Sequence, residues 1–141
     1  MSAFTAMAEI EAFTGAGSKK SKLDRIKKLT PDERAIFCLA YDPDRVFYYL
    51  VNPDDIGDRY SDKKISDHDA EVSLLSVCDN LSGRHVTGNM AAGMVTEFLL
   101  TLDQRQRMWA ERVINKDLCI GVSEKTFLKA FPGHLSCLNA C

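Results

Sequence analysis

A chain of 141 residues with 45% hydrophobic content is long enough to bury one core of ordinary size, so we expect a single domain. Its formal net charge of -2 excludes binding to nucleic acid by bulk positive charge, and any such role must depend on where the cations lie. No apolar run approaches the ~18 residues that a membrane span needs, and Glu9 and Glu11 interrupt any N-terminal signal pattern.

The first thirty residues predict two helices separated by a turn. Apolar side chains recur at helical spacing and would face the core at Phe4, Met7, Ile10 and Phe13. Residues 14–17 end this pattern because they contain two glycines. Ser18 or Ser21 can then cap a second helix that runs through Leu29.

A strong helix start follows. Thr30 can cap a helix, Pro31 suits its first position, and Glu33 completes a capping box, so we predict a helix to about residue 41. An Asp-Pro pair then predicts a second short helix over residues 42–50. Residues 52–64 are polar and acidic, which is typical of a solvated loop.

The rest of the chain also has helical periodicity. Ser66 opens one helix, with inward positions predicted at Val72, Leu74, Leu75 and Val77. Thr87 or Asn89 begins the clearest amphipathic helix, with a core stripe at Ala91, Met94, Val95, Phe98, Leu99 and Leu102. Asp103 caps the next helix, which carries a core Trp109. No convincing strand appears, so we predict an all-α fold, a single compact domain of about seven to eight helices.

Cations gather at three turns that each lead into a helix. The first turn contains Ser18, Lys19, Lys20 and Lys22; the second contains Arg84, Thr87, Gly88 and Asn89; the third contains Lys116, Gly121, Ser123 and Lys125. Helix N-termini present unpaired N–H groups and partial positive charge, which suit a phosphate oxygen. The alternative is that these are ordinary inter-helix loops with solvated lysines, which are common on protein surfaces.

No catalytic or metal-binding set emerges from the sequence. The glycine-rich residues 14–21 lack the spacing of a nucleotide-binding loop. His134, Cys137 and Cys141 lack a fourth zinc ligand at a matching spacing, and His68 is expected to be an exposed residue at a helix start. We therefore predict no metal site, and a complete small enzyme is the least favoured interpretation.

The segment from Trp109 to Gly133 consists of a predicted helix, a turn with the pattern Lys-Asp-Leu-x-x-Gly, a second helix and Phe-Pro-Gly. It resembles the end of the N-terminal DNA-binding domain of ATP-dependent DNA ligases, especially the bacteriophage type. Further matching motifs occur in the family's order: Glu9-Ile-Glu-Ala-Phe13, Gly17-Ser-Lys-Lys-Ser-Lys22, Leu39-Ala-Tyr41, Phe47-Tyr-Tyr-Leu50 and Val86-Thr-Gly-Asn89. The resemblance covers nearly the whole chain.

The resemblance implies a helical domain that binds nicked double-stranded DNA from the minor-groove side, in DNA replication, repair and recombination. It assigns phosphate contacts to the twelve residues of the three turns, which position a protein without reading sequence. The adenylation motif Lys-x-Asp-Gly does not occur, so the chain alone is not expected to be an enzyme. ATP and Mg²⁺ belong to the ligase catalytic domain, which would act in cis or in trans.

The same resemblance divides the chain into a ligase-like DNA-binding domain at residues 1–133 and a tail at residues 134–141, a truncated linker toward an absent adenylation domain. An expressed fragment, a split gene product and a stand-alone domain all remain open. Five scattered cysteines do not indicate a disulfide framework, which favours reduced thiols and a cytoplasmic protein, in the host cell if phage-encoded. The alternative function is a helical interaction module that regulates a DNA-processing enzyme without binding DNA, favoured by the acidic loop and the negative net charge.

Overall fold

Seven α-helices account for most of the chain that the computed structural model describes, which comprises residues 2–52, 56–57, 59–61 and 65–130. The helices are α1 (Ala3–Ala12), α2 (Ser18–Lys27), α3 (Pro31–Tyr41), α4 (Asp67–Ser82), α5 (Gly88–Leu100), α6 (Gln104–Ile114) and α7 (Glu124–Lys129). No β-strand occurs among these residues. The all-α prediction is confirmed over the described residues.

Five of the seven helices begin with a side-chain cap. The capping residues are Ser2 for α1, Thr30 for α3, Ser66 for α4, Asp103 for α6 and Ser123 for α7. At α3 the box is complete, because Thr30 accepts from the Glu33 N–H and the Glu33 carboxylate accepts from the Thr30 N–H at 2.9 Å. These caps satisfy N–H groups that a helix leaves unpaired, so the starts of these helices are set locally.

The core lies around α3 and α6, which pack against each other. Trp109 of α6 is buried, as predicted, and α3 also packs against α1 and α4. Phe127 joins the short helix α7 to this core, since its ring stacks on Tyr41 with centroids 4.5 Å apart and lies parallel to Phe37 at 6.0 Å. Burial of one such aromatic side chain contributes about 1.5–3 kcal/mol, which anchors the turn that precedes α7.

The predicted helix over residues 42–50 does not form, and that prediction is wrong. The chain there is irregular, and Tyr48 has a φ of +56°, which no right-handed helix accommodates. The ammonium of Lys116 donates to the carbonyls of Leu39 at 3.1 Å and Asp42 at 2.7 Å. The Asp42 carboxylate accepts from the Asp44 N–H at 2.9 Å, a local turn that competes with helix. The Lys116 ammonium and the local turn at Asp42 thus together end α3 at this position.

Several predicted core positions are instead exposed. Phe13 is the C-cap of α1 and is 37% exposed, and Val72 of α4 is 51% exposed, because α4 turns Leu74 and Val77 inward. Cys78 and Cys119 carry free thiols.

Some predictions fall on parts of the chain outside the described residues. These include much of the acidic loop, the cluster of His134, Cys137 and Cys141, and the proposed boundary between residues 133 and 134. Within the described residues, no helix is long and apolar enough to cross a membrane.

Candidate nucleic-acid interface

The first turn leads into a helix without a side-chain cap. Gly17 occupies the N-cap of α2 with a φ of +80°. The prediction that Ser18 or Ser21 caps this helix is therefore wrong. The backbone N–H groups of Lys19 and Lys20 bond to no acceptor within the described residues, and both side chains are exposed. Lysines at a helix N-terminus oppose the helix dipole, so this arrangement is locally unfavourable unless an anion binds there.

Lys22 joins the first turn to the third. Its ammonium donates to the carbonyl of Ile120 at 2.8 Å. Gly121 has a φ of +75°, and a Cβ atom at this position would lie 2.4 Å from the Lys22 ammonium. Glycine is favoured at position 121, since a larger residue would meet backbone strain and would displace the end of the Lys22 side chain that joins the two turns.

The third turn is held mainly by internal contacts. Lys116 is half-buried and donates to two carbonyls at the end of α3, and burial lowers the pKa of its amine. The Ser123 hydroxyl accepts from the Thr126 N–H at 3.1 Å as a helix cap. Lys125 is exposed. Of the predicted contacts in this turn, Lys125 is thus the one cation open to solvent among the described residues, while Lys116 and Ser123 support the turn.

A groove of about 520 Å³ lies beside the third turn. Its walls are formed by Tyr41 and by residues 116–124. The Tyr41 hydroxyl donates to the carbonyl of Val122 at 2.9 Å, and burial raises the pKa of this phenol. Asp117 and Glu124 add negative charge to the groove, so the groove itself is less suited to a phosphate than the first turn.

The second turn also leads into a helix without a side-chain cap. Thr87 is the N-cap of α5 but makes no capping hydrogen bond, and Gly88 follows with a φ of +57°. Asn89 is exposed in the first turn of the helix. The guanidinium carbon of Arg84 lies 4.5 Å from the centroid of the Tyr48 ring. The second turn thus combines a helix N-terminus that has no side-chain cap with an arginine that stacks on an aromatic ring.

Contacts through residues 42–48 connect the second and third turns. The Lys116 ammonium lies 5.2 Å from the centroid of the Phe47 ring and donates to Asp42. The next residue, Tyr48, carries Arg84 of the second turn on its ring. Because Lys22 joins the first turn to the third, all three turns lie on one continuous path of contacts. We call the exposed atoms of residues 15–22, 83–89 and 116–125 the turn surface.

Backbone strain within the described residues gathers at the turn surface and at its neighbour Tyr48. The non-glycine residues with positive φ are Tyr48, Arg84, Lys116 and Cys119. Such conformations cost on the order of 1–3 kcal/mol each and often occur at ligand-binding sites. Tyr48 was not among the predicted site residues. Its only signal was the aromatic run at residues 47–49, which was interpreted as part of a helix.

The helices α1, α3 and α4 end beside the three turns, and acidic side chains gather at their opposite ends, where these helices begin. A pocket of about 680 Å³ lies at the starts of α1, α3 and α4, with carboxylates from Asp32, Glu33, Asp67 and Glu71. Burial raises the pKa of Glu71 to about 7. These helices have 10 to 16 residues, which corresponds to roughly 15–24 Å between the acidic pocket and the turns. No group of three potential metal ligands occurs among the described residues.

This charge separation also suits the helix dipoles, because acids favour helix N-termini and cations favour C-termini. Charge separation alone therefore does not require a ligand. The uncapped starts of α2 and α5 are a separate observation, since every other described helix has a side-chain cap. Both uncapped helices begin at turns that the sequence analysis had selected for phosphate binding.

Comparison with known protein families and with curated proteins finds no match. Two solved structures are similar to the chain in fold. One, named "Pmar-Lig_PreS3", superposes with a TM-score of 0.71 at 21% identity over 92% of this chain. The other, named "Pmar-Lig_Pre", gives a TM-score of 0.67 at 21% identity over the same share. The chain therefore shares the fold of a part of these two structures. The chain covers 29% of the length of each of these structures, so the likeness concerns one part of them.

Proposed function

We propose that the chain binds nicked duplex DNA through the turn surface, as the non-catalytic DNA-binding part of an ATP-dependent DNA ligase that joins DNA in replication and repair. The observation that carries the proposal is the pair of uncapped helix starts, at α2 and α5, in turns that carry exposed cations. The similarity in fold to the structures named "Pmar-Lig_PreS3" and "Pmar-Lig_Pre" supports the same proposal.

The contacts would be made to phosphates from the minor-groove side. Lys19 and Lys20 supply charge, and the free N–H groups at the start of α2 supply donors in fixed directions. Thr87 and Asn89 offer a similar set at the start of α5. Contacts of this kind position a protein on a duplex without reading its sequence, and their affinity falls steeply with salt.

The ligation chemistry would belong to a separate catalytic domain, in cis or in trans. ATP and Mg²⁺ are expected to bind to that domain, and the chain described here is proposed to hold the DNA while the nick is sealed. Incubation with labelled ATP tests this division of labour, because a covalent adenylate on this chain would overturn the non-catalytic assignment.

The central experiment replaces the exposed lysines at the start of α2. Lys19→Ala combined with Lys20→Ala is expected to weaken binding to a nicked duplex by a similar factor for unrelated sequences. The slope of log affinity against log salt should fall in magnitude by about one to two, one for each lost phosphate contact. Fluorescence anisotropy between about 50 and 200 mM salt measures both quantities.

The matched control uses Lys27→Ala combined with Lys28→Ala. These lysines are also exposed and lie at the other end of α2, so the change in net charge is identical. We expect the control to keep most of the affinity and the wild-type slope. Equal losses in the two double variants would show that α2 contributes only bulk charge, and unchanged binding in both would remove the first turn from the interface.

A helical interaction module that does not bind DNA is the second candidate. The acidic pocket at the starts of α1, α3 and α4 favours it, since such a surface repels DNA and suits a basic protein partner. Absence of any complex between the wild-type chain and nicked duplex at low salt would support this candidate and would contradict the proposed function.

A further inference from the structure

Tyr48 combines backbone strain with an exposed aromatic ring. Its φ of +56° is an outlier for a bulky residue, and its side chain is 59% exposed. A large apolar side chain in such a conformation gains little from burial. The contact that the ring does make is with the guanidinium of Arg84, 4.5 Å from the ring centroid.

Arg84 differs from five other arginines in the nature of its contacts. Five arginines form ion pairs with carboxylates: Arg25 with Glu9, Arg45 with Asp79, Arg105 with Asp67, Arg107 with Glu111, and Arg112 with Glu11. Within the described residues, the Arg84 guanidinium has no carboxylate and no hydrogen-bond acceptor, and it rests on Tyr48 alone. Arg84 also has a positive φ, of +54°.

Two strained residues from separate segments therefore meet in one contact that leaves the N–H edge of a cation without a partner. Stacking on a ring occupies the face of a guanidinium but not its edge donors, which are the groups that bind phosphate oxygens. Arg84 lies four residues before Gly88, the first residue of α5, and an anion at the uncapped start of this helix would also meet free backbone N–H groups.

We propose that Tyr48 is a positioning residue that holds the Arg84 guanidinium toward a DNA phosphate beside the start of α5. This inference rests on the proposed function and adds a residue, Tyr48, to the binding surface. The ring restricts the rotamers of Arg84 before DNA arrives, so less conformational entropy is lost when the complex forms. The strained backbone at Tyr48 then serves DNA binding and does not serve the stability of the fold.

The test compares Tyr48→Asn with Tyr48→Phe. Asparagine tolerates the left-handed conformation but has no ring, whereas phenylalanine keeps the ring. Tyr48→Asn should weaken binding to nicked duplex about twofold to fivefold, the range expected from an exposed cation–π contact. It should leave the melting temperature equal to or above that of the wild type. Tyr48→Phe should bind like the wild type.

A double-mutant cycle with Arg84→Ala shows whether Tyr48 acts through Arg84. Arg84→Ala alone should weaken binding and lower the magnitude of the salt slope by about one. Tyr48→Asn in the Arg84→Ala background should cause no further loss. Tyr60→Asn is the matched control, because Tyr60 stacks with Arg107, which is ion-paired to Glu111; this variant should keep the wild-type affinity.

The outcomes separate the two proposals. Wild-type affinity in Tyr48→Asn, with a loss in Arg84→Ala, overturns the positioning role and leaves the proposed function intact. A lowered melting temperature in Tyr48→Asn, or an affinity loss in Tyr48→Phe, also overturns it, because the ring would then serve folding or its hydroxyl would matter. If the wild-type chain does not bind nicked duplex, the proposed function itself fails.

Discussion

The contact between the first and third turns depends on the absence of a side chain at Gly121, and Gly121→Ala tests this directly. Two effects add. An L-residue held at a φ of +75° costs about 1–2 kcal/mol. The new Cβ would also lie 2.4 Å from the Lys22 ammonium and would displace it from the Ile120 carbonyl, 2.8 Å away. Loss of one partly exposed hydrogen bond of this kind costs about 0.5–1.5 kcal/mol.

We therefore expect Gly121→Ala to lower the free energy of unfolding by about 1.5–3.5 kcal/mol, as the sum of these two effects. Urea denaturation followed by circular dichroism measures it. The Lys22→Met background separates the effects, because methionine has no ammonium to displace. In that background Gly121→Ala should cost only the backbone contribution, about 1–2 kcal/mol. The coupling between the two positions should thus be about 1 kcal/mol.

An equal cost of Gly121→Ala in both backgrounds would refute the role of Lys22 as the link between the turns. The proposed function adds a second readout. Separation of the first and third turns should weaken binding to nicked duplex DNA in Gly121→Ala even at temperatures where the variant is fully folded. Wild-type affinity in a folded Gly121→Ala variant would show that the DNA contacts do not require the two turns to be held together.

Two further predictions concern stability. The pKa of Glu71 is about 7 in the fold against an ordinary 4.5, so the folded state binds more protons between these values, and the free energy of unfolding should fall as pH rises through this window. Urea titrations between about pH 5 and pH 8 should show a decline of up to about 3 kcal/mol in the free energy of unfolding. Glu71→Gln keeps an acceptor for the Ala3 N–H and should flatten this decline. An unchanged decline in Glu71→Gln would assign the pH dependence to another group. Thr30→Ala should lower the free energy of unfolding by about 1 kcal/mol through loss of the α3 cap, whereas Thr30→Ser should keep most of it. A loss in Thr30→Ser as large as in Thr30→Ala would show that the hydroxyl is not the stabilising group.

The helices were largely predictable from the sequence because their signals are local. The capping box at Thr30 and Glu33 acts across three residues, and the cap at Asp103 works in the same way. The apolar stripe of α5 recurs every three or four positions, so helix type and direction of burial can be inferred within one window of sequence. The error of facing at Val72 arose because two stripes have helical spacing, Val72 with Leu75 and Leu74 with Val77, and the fold buries the second of them.

The turns were predictable as basic loops before helices, but their connection was not. Lys22 bonds to a carbonyl 98 residues away, and Lys116 bonds to carbonyls 74 and 77 residues away. The two hydrogen bonds of Lys116 help to end α3, whereas the local pattern predicted a further helix directly after it. The stacking of Arg84 on Tyr48 likewise joins two segments that carry no shared sequence signal.

The sequence by itself determined where helices begin, which faces are apolar and where cations concentrate, because each depends on residues within a few positions of one another. Only the tertiary structure decided that the three turns are linked, that Lys116 donates to the end of α3 instead of facing solvent, and that Arg84 stacks on Tyr48. Those outcomes depend on side chains that meet only after the helices have packed, so no local window of sequence contains them.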